Sequence, residues 1–186
     1  MLKTAVVQAP DDKSIMQKPK AVVGRGTKFL SDAITDLLSQ QCGNECFAAY
    51  SYHGVAAWFD LIGLKGFCKY HEAQGNGEIG HAKKIFKFML EAGAEPNLPA
   101  ISAPLVRYDS VEQTLQAIVD HEKSVTESWR KIGKQAMTDE DMATMDLAQA
   151  FLVEQLEEEN SAITLLQRAK MAGKNGIIVV DAELSK

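Results

Sequence analysis

Glu78 and His81 stand three residues apart in GNGEIGHAKKIFKF, and Ile85 and Phe88 continue the same helical stripe. Positions i, i+3, i+7 and i+10 share one face of a 3.6-residue helix, so this face begins with an acid and an imidazole and continues as core. A carboxylate on a buried stripe is costly unless it is paired or holds a cation. Glu and His at this spacing can offer oxygen and nitrogen to one metal ion. Alone, E-x-x-H is a short motif whose weight depends on whether other helices do the same.

They do. A first helix is predicted from about Ser31 to Ile62, with the stripe Ile34, Leu37, Gln41, Glu45, Ala48, Tyr52, Val55, Phe59, and with Gly63 and Gly66 breaking it. A second covers about Phe67 to Ala92, and Gly93 followed by Pro96 ends it. The next stretch, AEPNLPAISAPLVRYD, holds three prolines. It is too long for a tight antiparallel turn and long enough to cross a bundle from end to end. A third helix starts at Asp109, with Glu112 completing a capping box, and runs to about Ala136 on Leu115, Ile118, Glu122, Val125, Trp129, Ile132. Thr138 and Asp141 open a fourth, with Leu147, Phe151, Gln155, Glu158, Ala162, Leu165, and Gly173 closes it. Its first turn, around Thr144, reads as too polar to extend the stripe backwards. The remaining GIIVVDAELSK fits one short helix or an extended end. Helices of this length, roughly 40–50 Å each, make an all-α four-helix bundle.

The chain has 186 residues and 46% hydrophobic content, enough for one globular domain with a real core, expected over 29–186. Residues 1–28 lack periodicity and are expected to be flexible or extended. No apolar run approaches bilayer length, and the first thirty residues have no long apolar h-region, so neither membrane nor secretion is expected. Cys42, Cys46 and Cys68 form no CxxC pair and read as small buried thiols of a reducing compartment. Residues 1–30 carry six basic and two acidic groups, leaving 14 basic and 23 acidic on the rest. An acidic body suits a protein that handles cations. The basic tail is dispersed and has no interleaved aromatics, so nucleic-acid binding is not expected. A flexible tail, or part of a transit sequence, is the expectation there.

Each apolar stripe thus has polar insertions near its middle: Gln41, Glu45 and Tyr52; Glu78 and His81; Glu122; Gln155 and Glu158. A misjudged helix phase explains any one of them as a surface acid. Four coincident insertions are harder to dismiss. Several carboxylates and one imidazole in a bundle core repel one another unless cations sit between them. Hard oxygen donors with one nitrogen suit iron, manganese or zinc.

At this point the sequence resembles the non-haem ferritins, of bacterial, cyanobacterial or plastid type, from about Leu30 to its end. NECFAAYSY (44–52), GEIGH (77–81), HEKSVT (121–126) and VEQLEEE (153–159) carry the resemblance, and GIIVVDAELS is similar to the family's short fifth helix. The ferritin-like bundle, with its long crossover between the second and third helices, is itself the standing example of this connection. The resemblance implies that Glu45, Glu78 and His81 hold a first iron. It implies that Glu78 bridges to a second, held also by Glu122 with Gln155 close by, and that Tyr52 hydrogen-bonds near the pair and gives an electron. Glu154, Glu157 and Glu158 match an acidic cluster that holds a further iron or passes iron on, whereas Glu159 reads as a solvated helix face. Further implied are Fe(II) oxidation by dioxygen or hydrogen peroxide, ferric mineral deposited in a hollow homo-oligomeric shell of twenty-four subunits, and a cytoplasmic place, or a plastid if the first residues are transit sequence.

Departures from the family accompany the match. Gly75, Gly77 and Gly80 stand where acids or longer side chains are usual, each costing a helix interior roughly 0.8–1 kcal/mol relative to Ala. Ile79 stands where haem-binding relatives have a methionine, so no haem is expected. His53, His71 and His121 lie off the pattern and read as structural or surface groups, and Asp139, Glu140 and Asp141 as helix-start acids or the lining of a channel. Two rivals remain in view: a DNA-coating mini-ferritin, prompted by the basic tail, and a di-iron oxidase or peroxidase of the rubrerythrin kind. The latter normally carries a second E-x-x-H, but three residues beyond Glu154 and Glu158 stand Glu157 and Ser161.

Overall fold

A computed structural model describes residues 29–186. The expected flexible segment, residues 1–28, lies outside the described residues. Four helices follow in order: α1 (Asp32–Leu61), α2 (Lys65–Glu91), α3 (Val111–Thr138) and α4 (Met142–Leu184). α1 packs along α2 and α3 along α4, and the two pairs meet through α1 against α3 and α2 against α4. None of these helices is long and apolar enough to cross a membrane.

The caps follow local chemistry, with one shift from expectation. Ser31 Oγ accepts from Ile34 N at 3.1 Å and donates to Asp139 Oδ2 at 2.5 Å, tying the start of α1 to the α3–α4 turn. α3 is capped by Ser110, not Asp109. Ser110 Oγ accepts from Gln113 N at 3.1 Å, and Gln113 Oε1 accepts from Asp109 N at 2.8 Å, so Ser110 caps the helix while Gln113 ties down the residue before the cap. Asp141 caps α4 through Thr144 N at 3.0 Å. Thr144 itself is buried, its hydroxyl satisfied by Asp141 Oδ2 at 2.6 Å, so polarity there does not push the first turn of α4 out of the core.

Gly66 does not break the chain; it lies in the first turn of α2. A Cβ at that position would fall 1.8 Å from Asp181 O, so the missing side chain admits the last helical segment. That segment, residues 174–184, is set off from the rest of α4 by Gly173, whose φ of 60° only glycine adopts readily. Asp181 Oδ1 then accepts from Phe67 N at 2.9 Å, satisfying a first-turn amide of α2 that no side chain of its own cap reaches. The end of the chain is therefore a short fifth helix folded back on the start of α2.

Residues 92–110 run as an irregular crossover along α1. Asn97 N donates to Ser39 Oγ at 3.0 Å, and Pro99 lies so close to α1 that a Cβ on Gly43 would come within 2.3 Å of its ring. Side chains inside the bundle gather into two apolar clusters. One holds Ile34, Leu38, Ile85, Trp129, Ile132 and Phe151; the other holds Val55, Phe59, Phe67, Leu115, Ile118 and Leu165. Between them lies the polar belt.

Candidate metal centre

Helix phase alone sends Glu45, Glu78, Glu122 and Gln155 inward, and all four are buried, at 1%, 4%, 1% and 3% exposure. His81 and Glu158 are half-buried beside them. One ligand atom from each of Glu45, Glu78 and His81 lies within 4.8 Å of the others, and the same holds for Glu78, Glu122 and Glu158. Glu78 belongs to both groups.

His81 Nδ1 faces Glu78 Oε2 at 3.1 Å and Glu45 Oε2 at 3.9 Å, while its Nε2 lies 4.0 Å from Glu158 Oε1. Glu45 Oε1 accepts from Gln41 Nε2 at 2.8 Å and from the Trp129 indole at 3.3 Å. Its other oxygen is buried without a hydrogen-bond partner and faces the imidazole. An orphaned buried carboxylate oxygen beside a nitrogen donor fits a divalent cation between them. Glu122 is held at both oxygens, one accepting from the Tyr52 hydroxyl and the other from Gln155 Nε2 at 2.6 Å. Gln155 also donates to the Glu122 carbonyl at 3.2 Å, so this amide orients Glu122 beside the second group.

Electrostatics reflect crowding of like charge in a low-dielectric belt. Burial, then the carboxylate of Glu78, pushes Glu45 up to about 8. Burial likewise pushes Glu78 up to about 8, with Glu122 and Glu158 adding to it. Glu158 rises to about 7 through burial and Glu122. Cations between these groups would relieve that cost and displace the protons.

The acids of the run on α4 face different neighbours. Glu158 turns into the second group, whereas Glu154 is exposed and pairs with Lys84 at 3.4 Å. Glu157, about 100° round the helix from Glu158, is exposed on a groove that Arg130 and Thr126 also line. Glu159 is not a free solvated group, because it accepts from the Thr126 hydroxyl. Trp129 read as core in the sequence, and its indole contact with Glu45 has no local signature. Lys84 was likewise not singled out; it lies one turn beyond His81, with its ammonium 4.5 Å from the centre of the Phe151 ring. His71 is fully buried among Phe59, Phe67 and Tyr70, and burial holds it down to about 4. His121 is half-buried against Phe47, whereas His53 is exposed.

Comparison with known proteins places the chain and its fold. The ferritin-like domain model matches residues 35–172, ending just before Gly173. A bacterial non-heme ferritin of Staphylococcus aureus is 30% identical over 158 residues, covering 84% of this chain and 95% of its own. One from Escherichia coli O157:H7 is 25% identical over 159 residues, with 84% and 96% covered. Among solved structures, an open pore ferritin from the hyperthermophilic archaeon Archaeoglobus fulgidus superposes with a TM-score of 0.83 at 32% identity, over 86% of this chain and 98% of that one. With the fold, the belt of carboxylates and these matches in agreement, the chain belongs to the ferritin family, as a non-haem ferritin.

Proposed function

We propose that this iron-storage protein oxidises Fe(II) at the belt before storing it. The observation that carries the reading is the double membership of Glu78. Glu45, Glu78 and His81 take one Fe(II), Glu78, Glu122 and Glu158 take a second, and Glu78 bridges the two. The iron is substrate: it enters as Fe(II) and leaves as Fe(III). Dioxygen or hydrogen peroxide is the oxidant, and hydrolysis of the product yields ferric oxyhydroxide. The protein's part is to supply ligands, spacing and charge. Binding two dications discharges protons held by Glu45, Glu78 and Glu158, which makes uptake favourable as pH rises through the range where those groups titrate. Gln155 and Tyr52 fix Glu122 from both sides, so that its carboxylate need not reorganise when iron arrives. Assembly into a hollow homo-oligomer of twenty-four subunits completes the proposal.

Aerobic Fe(II) loading of the assembled protein, with particle mass and iron content measured together, tests both parts. Rapid oxidation with hundreds of irons retained per particle is expected. A small oligomer, or iron that precipitates outside the protein, contradicts the reading.

A further inference from the structure

Beyond Tyr52, on the side away from the carboxylates, a line of touching rings leads out of the bundle. The Tyr52 and His71 ring centres are 6.0 Å apart, and His71 stacks on Phe59 at 5.0 Å. Phe59 meets Trp58 edge-on at 5.0 Å, and Trp58 meets Tyr108 at 5.6 Å. Along α1, Trp58 lies six residues beyond Tyr52, about 9 Å by helix rise. His71 and Phe59 resist oxidation and serve as packing between the rings that do not. The oxidisable rings in line are Tyr52, Trp58 and Tyr108, with Tyr70 a side branch that meets His71 edge-on at 5.2 Å. At the inner end Tyr52 donates to Glu122, a ligand of the second iron in the reading above. At the outer end Tyr108 is half-buried and donates to Leu105 O at 3.0 Å on the exposed crossover.

Trp129 also touches the centre, through Glu45. It stacks on Phe151 at 4.0 Å, and among the described residues that ring continues only to His81 and the Lys84 ammonium. An oxidised Trp129 has no further aromatic donor on that path. Trp129 is therefore a dead end among the described residues, whereas the line from Tyr52 leads to the surface.

We propose that Tyr52, Trp58 and Tyr108 form a relay carrying single electrons from the surface to the iron centre, an inference that rests on the ferroxidase reading. Two Fe(II) supply two electrons, whereas dioxygen needs four, with four protons from solvent, to become two waters. One electron passes from Tyr52 to the partly reduced oxidant while the phenolic proton moves to Glu122. Trp58 returns an electron to the resulting phenoxyl, which retrieves its proton from Glu122, and Trp58 is left as the indole radical cation. Tyr108 then reduces the indole and gives its own phenolic proton to solvent. A one-electron reductant of the ascorbate class restores Tyr108, which regains a proton from water. Two passages close the four-electron balance.

The test is freeze-quench electron paramagnetic resonance on the assembled protein, loaded with two Fe(II) per subunit and mixed with oxygenated buffer containing ascorbate. Fe(II) oxidation is followed by absorbance in the same samples. Trp58→Phe is expected to lengthen the tyrosyl radical lifetime by about tenfold or more, and Trp58→Tyr, which restores an oxidisable ring, to bring it back within about threefold of the parent. Tyr108→Phe, which removes one hydroxyl, is expected to let the indole radical accumulate. Parent-like lifetimes in Trp58→Phe overturn the relay and leave the ferroxidase reading standing. So does a lengthened lifetime that Trp58→Tyr does not correct, since that reports packing rather than redox chemistry. If Trp58→Phe does not assemble, Tyr108→Phe decides, and a parent-like radical spectrum there overturns the relay. Absence of rapid oxidation in the parent overturns the ferroxidase reading and the relay with it.

Discussion

Lys84 and Glu154 face each other across the α2–α4 seam, 3.4 Å apart, one turn from His81 on one helix and from Glu158 on the other. A third cation beside Glu158 would use Glu154 as its next oxygen donor, and the ammonium of Lys84 already holds that oxygen. Gly77 adds no carboxylate from α2. Two tight Fe(II) per subunit are therefore expected in an anaerobic titration, with a third weak or absent. The pair Gly77→Glu and Lys84→Ala should strengthen the third. A Cβ at Gly77 meets nothing within 4 Å, so the new side chain has room. Three equally tight irons in the natural protein would contradict this.

Glu78→Ala removes the only carboxylate common to both ligand groups. Fast Fe(II) oxidation is expected to fall by about 100-fold or more, equivalent to ~2.7 kcal/mol of barrier. The fold should survive, because in the metal-free protein the substitution also removes a carboxyl whose burial among other acids is unfavourable. Stopped-flow absorbance gives the rate and circular dichroism the fold. A parent-like rate means the iron is oxidised elsewhere.

Glu45 and Glu78 are pushed from 4.5 up to about 8, and Glu158 up to about 7. In the metal-free state the fold thus binds protons more tightly than the unfolded chain does. Their contribution to stability is whole below pH 4.5 and is lost as pH rises through about 7 to 8. Chelator-treated protein should melt at lower temperature at pH about 8.5 than at about 5.5, and a redox-inert divalent cation should flatten that slope. A melting temperature that climbs over the interval would contradict the burial of these acids.

Ile79, next to Glu78, lies on a groove of about 680 Å³ with Phe86 and Leu90 among its lining. It offers no sulfur to a haem iron. Protein purified from a haem-replete host is expected to show no Soret band, and a stoichiometric one would refute the expectation.

Gly66→Ala places a methyl where Asp181 O already lies, 1.8 Å from the ideal Cβ. Residues 174–184 should detach, removing the Asp181 contact to Phe67 N and with it about 1 kcal/mol of capping. Asp181→Ala should cost a similar amount without the clash. Limited proteolysis after residue 173 would report the detachment in the first variant, and equal resistance to the parent would rule it out.

Period-3.6 stripes made most of the bundle legible, and the polar insertions in them marked Glu45, Glu78, His81 and Glu122 before any coordinates. What escaped depends on contacts between distant residues. Gly66 reads locally as a breaker because its partner, Asp181, lies more than a hundred residues later. Glu158 and Glu154 share a similar helical phase, and only the neighbouring helix separates them, by offering ligands to one and Lys84 to the other. Asp109 and Ser110 are both good caps, and a one-residue shift between them leaves no trace in the pattern.

The two apolar clusters described above never merge, since the carboxylate belt lies between them. A bundle built this way behaves mechanically as two apolar bodies joined at a polar waist. Breathing at the waist opens a path for small ions without melting either end, so the amides of Leu38 and Phe59, each deep in its own cluster, should outlast those near Glu78 in hydrogen exchange. Loading with metal then works as a rivet through the weakest cross-section, and protection gained at the waist should exceed that gained at the ends.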